Sequence, residues 1–310
     1  MNIMTVIFNG LSTSSILLIT ALGLAITFGL MRVINMAHGE FIMIGAYTTY
    51  VVQNLFSAFL PSSVFDAYYI VALFAAFGVL TVFGTGNATQ VNTGVIMEKL
   101  IVSRLYGNEI DSLLATWGVS LILQQLARSI FGAQPVNVKA PSFLQGNIGT
   151  GDVTFSYVRI FIIVMMIFCL VGVWLLMYRT NFGSKMRATM QNRSMAQCLG
   201  INTKKMDSIT FGIGSGLAGI AGCSISLLFS IDSTLGTKYI VDTFMVVVLG
   251  GVGKLLGTFC GADIIGFSSV FMENLTSASI AKFIVLIIVI VFLQKKPQGL
   301  FTIRSRSLDD

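Results

Sequence analysis

The amino-acid sequence predicts an all-α polytopic membrane protein: one transmembrane domain over residues 1–310 with eight or nine membrane-spanning helices. Three observations carry that expectation. Apolar residues fill 55% of the 310 positions and charged ones only 10%, and the mean hydropathy is +0.86. Apolar runs of the ~20 residues that a ~30 Å hydrocarbon core demands of a helix recur along the whole chain. Only four prolines interrupt them. The same composition excludes a water-soluble domain, a disordered chain and a disulfide-stapled secreted scaffold. The four cysteines (Cys169, Cys198, Cys223, Cys260) have no paired spacing and read as small apolar residues in helices.

In chain order the expected spans are residues 3–30, 41–60, 69–96, 113–131, 157–177, 209–229, 239–252, 255–271 and 278–293. The first lacks a basic leader and a small-residue cleavage site, so it reads as a retained span rather than a secretory signal. The third carries the polar stretch Gly84-Thr85-Gly86-Asn87-Ala88-Thr89-Gln90, so it either breaks or opens into a loop. The seventh is short and ends in glycines. Counting Lys and Arg in alternate links gives 14 on one side and 3 on the other. The larger set marks the cytoplasm, which puts the C-terminus inside and, with nine crossings, the N-terminus outside. The net charge of +6 therefore serves orientation in a membrane, and no nucleic-acid partner is expected.

Small residues four apart predict close helix packing at Gly212-x-x-x-Gly216, Ser215-x-x-x-Gly219, Ala218-x-x-x-Gly222 and Gly253-x-x-x-Gly257-x-x-x-Gly261. Gly214, Gly216 and Gly219 also satisfy G-x-G-x-x-G, but within an apolar span and without a preceding strand, so dinucleotide binding is rejected. Gly253-Lys254 fails as a phosphate-binding loop, because Leu255 stands in the Ser/Thr place and Val248 in the first Gly place. No ATP site is expected on this chain.

A single histidine, His38, excludes the usual zinc sites. A His38–Ser215 dyad lacks the G-x-S-x-G context of a nucleophile elbow. Asp263 is the one carboxylate clearly inside a span; it reads as a snorkelling or helix-end group, with a proton relay as the other reading. The link 179–206 is amphipathic: Met186, Met190, Ala196 and Leu199 fall on successive turns, and Gly200-Ile201-Asn202 supplies a stop. A short surface helix is expected, lying on lipid headgroups or docking into a groove of a soluble partner.

Several of these residues carry a family resemblance. Arg187-Ala188-Thr189 and Met195-Ala196-Gln197-Cys198-Leu199-Gly200-Ile201-Asn202 resemble the coupling loop of ABC-importer permeases of the branched-chain amino acid type. Ile34-Asn35-Met36-Ala37-His38-Gly39-Glu40 is similar to that family's signature, and Val248-Leu249-Gly250-Gly251-Val252-Gly253 to its late glycine motif. Residues 45–53, 113–125 and 131–134 look like the urea-importer branch. The pattern departs in two places: Ser194-Met195 replaces an acidic residue before the alanine, and the stretch around Asn87 looks inserted.

The resemblance implies a bacterial inner-membrane permease that pairs with a second related permease, two cytoplasmic ATPases and a periplasmic or lipid-anchored substrate-binding protein. ATP and Mg would reside on the ATPases, with no cofactor or metal here. Coupling would run through Arg187, Met195, Ala196, Leu199 and Gly200. A path for urea, a neutral diamide, needs uncharged donors and acceptors. Ala46, Thr49 and Gln53 lie near one face of the second span, with Gln124 or Gln125 opposite; interhelical hydrogen bonding accounts for them equally well. Asn35, His38 and Glu40 are placed at the inner end of the first hairpin, in gating or in capping the second helix. The rival readings are a branched-chain amino acid or short-amide permease and a passive urea or amide channel, with an intramembrane enzyme more distant.

Overall fold

The computed structural model describes residues 3–31, 34–59, 61–81, 109–148 and 155–301. Its helices are α1 (Ile3–Met31), α2 (His38–Phe59), α3 (Tyr68–Leu80), α4 (Glu109–Phe131), α5 (Tyr157–Arg179), α6 (Asn181–Gln191), α7 (Arg193–Cys198), α8 (Thr203–Ser226), α9 (Leu235–Gly250), α10 (Leu255–Leu275) and α11 (Ala278–Lys295). Six of these are long and apolar enough to cross a bilayer: α1, α4, α5, α8, α10 and α11. The 22-residue α2 is more polar, and the 16-residue α9 is short. Most of the third expected span, and its polar stretch, lie outside the described residues; α3 covers its start and ends at Thr81.

Helix α1 is the axis of the bundle. It is apolar all round and buried nearly throughout, packed against α5, α8, α9 and α10. The glycines explain how closely the helices cross. On α8, Gly214 abuts Gly23 of α1, Gly216 and Gly219 abut α3, and Gly222 abuts Ile42 and Ala46 of α2. Four positions on one helix thus meet three neighbours, each at a distance that a side chain would obstruct. Gly250 and Gly257 cross in the same way between α9 and α10. Ser215 donates to the carbonyls of Leu80 and Gly212, 2.9 Å each, while His38 sits against α1, so the two do not form a dyad.

The two ends of the bundle differ. One gathers the start of α1, the end of α2, the start of α3 and a two-residue hairpin pairing Asn147 with Ser156 and Ile148 with Phe155. Gln53 Oε1 accepts from the Lys139 amide, 3.1 Å, the Tyr68 hydroxyl donates to the Lys139 carbonyl, and Val136 bridges Ile231. There Asp232 holds Lys238 and Thr234; burial opposes its ionisation, but those hydrogen bonds and the Lys238 charge keep its carboxyl below the usual range. The opposite end gathers the close of α1, the 179–206 link and the final turn, where Gly251 (φ +96°) ends α9 and Phe301 donates back to the Gly250 carbonyl.

The link 179–206 departs from the expected single helix. It forms α6 and α7, broken at Asn192, whose extended backbone (φ −150°) ends one helix while its side chain caps the next through the Met195 amide, 3.0 Å. Thr180 and Asn202 cap α6 and α8 likewise. The break divides the apolar residues. Met186 and Ala196 are buried and Met190 packs beneath Gly29, whereas Leu199 turns outward.

Candidate functional site: a polar lane between α2, α4 and α9

The clearest departure from expectation concerns depth. The Nε2 atom of His38 lies 3.2 Å from the Thr20 carbonyl of α1, and Gly23 packs on the same imidazole. Thr20 is eleven residues before the end of α1, about 16 Å along its axis. His38 and Glu40 therefore lie near the middle of the bundle, not at the inner end of a hairpin. By the time α2 begins the chain stands halfway back along α1, with residues 34–37 outside any helix. Asn35 supports that return: its carbonyl accepts from the His38 amide, 3.4 Å, and its side chain from the Ala37 amide, 3.0 Å. A non-helical segment at such depth needs its polar groups satisfied by protein or by a wet cavity.

The surface answering it comes from α4. Ser112, Thr116, Ser120 and Gln124 recur every four residues, so all four lie on one face, along about 18 Å of helix. The first three are buried although α4 as a whole is mostly exposed. Thr116 accepts from the Met36 amide, 3.2 Å. Ser120 Oγ and Gln124 Nε2 both donate to Glu40 Oε1 at 2.8 Å, and Gln124 also reaches Thr237 Oγ1 of α9 at 3.0 Å. Gly39 and Gly236 let the backbones of α2 and α9 meet beside this cluster; a Cβ on either would stand 2.5 Å from the other's carbonyl oxygen. Deeper in the bundle, Thr243 donates to Thr20 at 3.1 Å, beneath His38. Two turns above Glu40 and Gln124, the rings of Tyr47 and Phe131 stack at 4.2 Å and close the gap between α2 and α4.

Of the residues the sequence nominated for a path, Gln124 joins this lane. Gln125 is exposed on another face of α4. Ala46 is buried against Gly222 of α8, Thr49 donates to the Gly45 carbonyl in its own helix, and Gln53 is engaged with the Lys139 loop. Glu40 is not a helix cap, since it accepts from side chains of α4. Ser112, Thr116, Ser120 and Thr237 escaped the sequence reading. The period-four polar spacing in an otherwise apolar helix was the signal for the first three; Thr237 carried none.

The far end forms a second candidate surface. Ala196 is buried, while Met195 and Leu199 are 59% and 74% exposed. Gly200 adopts φ +79°, and among the described residues no atom lies within 4 Å of a would-be Cβ. Arg187 lies 5.1 Å over the Tyr178 ring. Arg193 pairs with the buried Asp207 at the start of α8, fixing α7 to the bundle. Asp263 lies in the body of α10, half-buried on a stripe shared with the exposed Leu256 and Ile264, so it is not a helix-end contact. Among the described residues no cluster of three His, Cys, Asp or Glu could hold a metal ion.

A helical bundle with a polar lane at mid-depth and an outward-facing apolar helix at one end has the makings of a multi-pass transport permease. Comparison with known proteins makes the assignment. The branched-chain amino acid transport system permease component family matches residues 6–293, and the chain belongs to it. It is 28% identical over 303 residues to the high-affinity branched-chain amino acid transport system permease protein BraD of Pseudomonas aeruginosa, covering 94% of this chain and 93% of that one. It is 29% identical over 299 residues to the probable branched-chain amino acid transport permease protein LivH of Methanocaldococcus jannaschii, covering 93% and 89%. The ribose import permease protein RbsC of Escherichia coli is 27% identical over 215 residues, 66% and 64% of the two chains. No solved structure matches. The protein is thus a multi-pass inner-membrane permease component of an ABC importer and not an enzyme.

Proposed function

We propose that this permease carries urea along the lane between α2, α4 and α9, driven by ATP hydrolysed on partner subunits. The observation that carries the reading is the four-residue polar stripe of α4 facing Glu40 at mid-depth. It offers a small solute alternating donors and acceptors, which a cargo with four N–H groups and a carbonyl requires as it leaves water. The residues in 45–53, 113–125 and 131–134 that resemble the urea branch support the same cargo.

Among the described residues the lane is walled by α2, α4 and α9, and a second related permease would complete the path. One of the two ATPases would dock on α7, seating on Met195 and Leu199, with buried Ala196 and left-handed Gly200 setting the angle of that helix and Arg187 bracing α6. The excess of Lys and Arg at this end supports a cytoplasmic placement, with the C-terminus inside and the N-terminus outside. The hairpin end would then receive a periplasmic or lipid-anchored binding protein. ATP and Mg would stay on the ATPases, which favour one of two bundle states by contacting them unequally.

A second reading has its own support: the relatives named above are branched-chain amino acid permeases. Reconstitution with the ATPases and binding protein separates the two. ATP-dependent uptake of radiolabelled urea is expected. Uptake of leucine and not urea would replace the cargo, and full-rate urea flux without ATPases would make the chain a passive channel.

A further inference from the structure

Glu40 is 1% exposed, and its two carboxylate oxygens differ. Oε1 accepts from Ser120 and Gln124, whereas Oε2 is buried with no hydrogen-bond partner among the described residues. An unmatched buried acceptor is costly and marks a place where a donor belongs. Gln124 is the over-committed donor of the cluster. Its Nε2 carries two hydrogens but lies within reach of three acceptors: Glu40 Oε1 at 2.8 Å, Ser120 Oγ at 3.1 Å and Thr237 Oγ1 at 3.0 Å. At least one of these contacts is shared, so no single geometry fixes the amide. It is half-buried and Thr237 is exposed, which leaves the cluster open on that side. A carboxamide offers an NH2 group beside a carbonyl, which is half of the urea molecule.

We propose that Glu40 is the acceptor for the N–H groups of the cargo, amide or ammonium, and that the Gln124 side chain is an internal stand-in which the cargo displaces. This rests on the lane being the transport path, as argued above. With cargo bound, both Glu40 oxygens receive donors, and the hydroxyls of Ser120 and Thr237 complete the ring. Gln124 refills the place when the cargo leaves, so the carboxylate is never stripped of all partners.

The test reads occupancy directly in the purified permease with its ATPases. In a Thr237→Cys background, a small aqueous alkylating reagent labels the introduced thiol, and urea or leucine is titrated as a protectant. Urea is expected to protect. Glu40→Gln keeps an acceptor for Ser120 but turns the second oxygen into a donor; it should raise the half-protecting concentration about tenfold or more, the worth of one charge-assisted hydrogen bond. Gln124→Ala removes the internal competitor and should lower that concentration, a gain that misfolding cannot produce. Protection by leucine alone, with the same dependence on Glu40 and Gln124, would sink the urea reading while upholding Glu40 as the N–H acceptor. Unchanged protection in Glu40→Gln, weaker protection in Gln124→Ala, or protection by neither solute would overturn the proposal.

Discussion

Replacing Gly45 with alanine tests how the bundle is held. Gly45 faces α8, where an added Cβ would stand 2.6 Å from Gly219 Cα, against the 3.4 Å at which ordinary contact begins. The obstacle is backbone, which no rotamer change can move aside, and the Gly219 carbonyl oxygen stands nearer still, so α2 and α8 must part by more than about 0.8 Å, and overpacking of this kind costs ~1–3 kcal/mol. Alanine recovers ~0.5–1 kcal/mol through its better helix propensity. The two ranges leave a loss of ~0–2.5 kcal/mol, and because the contact is backbone on backbone the upper part of it, ~1–2 kcal/mol, is expected. Gly118→Ala in α4 is the matched control: among the described residues nothing lies within 4 Å of its Cβ, so only the propensity gain remains. Thermal unfolding of the detergent-purified chain, followed by fluorescence-detected gel filtration, reads both. At ~2–4 °C per kcal/mol, Gly45→Ala should melt ~2–8 °C lower and Gly118→Ala slightly higher than the parent. Equal shifts for the two variants would refute the packing argument, because the propensity change is common to both and only the Gly219 contact differs.

Three other perturbations address the two ends. Arg193→Ala withdraws one ion-pair partner of the buried Asp207; because the Arg193 side chain is 37% exposed the cost is ~1–3 kcal/mol, and α7 should become protease-sensitive at Asn192 while the spans keep their protection. Gly200→Val forces a β-branched residue into φ +79° at a strain of ~1–3 kcal/mol; ATP-dependent uptake by the reconstituted importer should fall to background while membrane insertion, read by flotation, is unchanged. For Asp232 the sign follows from its depressed carboxyl: the stabilisation is present above the unfolded value of ~3.9 and is lost as pH falls through the lower folded value. Amide protection at Val136 and Ile231, taken relative to intrinsic exchange at each pH, should accordingly fall more steeply below about pH 4 in the parent than in Asp232→Asn; parallel profiles would show that Asp232 does not pin this bridge.

Composition and apolar run length were enough to specify a polytopic helical bundle, because a bilayer imposes helix length and apolarity residue by residue, information local to the chain. The small-residue spacings likewise announced close crossings, since only a missing side chain lets two helix backbones meet. They did not say which helices meet: that Gly214 seeks α1, Gly219 α3 and Gly222 α2 depends on the order of elements around α8. The polar lane is a stronger case. Ser112, Thr116, Ser120 and Gln124 were aligned by helical periodicity alone, yet Glu40, in the first turn of α2, was expected at the inner end of the bundle, because nothing local reveals that α2 begins at the depth of Thr20. Thr237 comes from 113 residues beyond Gln124, and only the crossing of α2 and α9 at Gly39 and Gly236 brings it there. Depth and convergence are properties of the assembled bundle, decided by which backbones can approach; periodicity records only which face of its own helix a residue occupies.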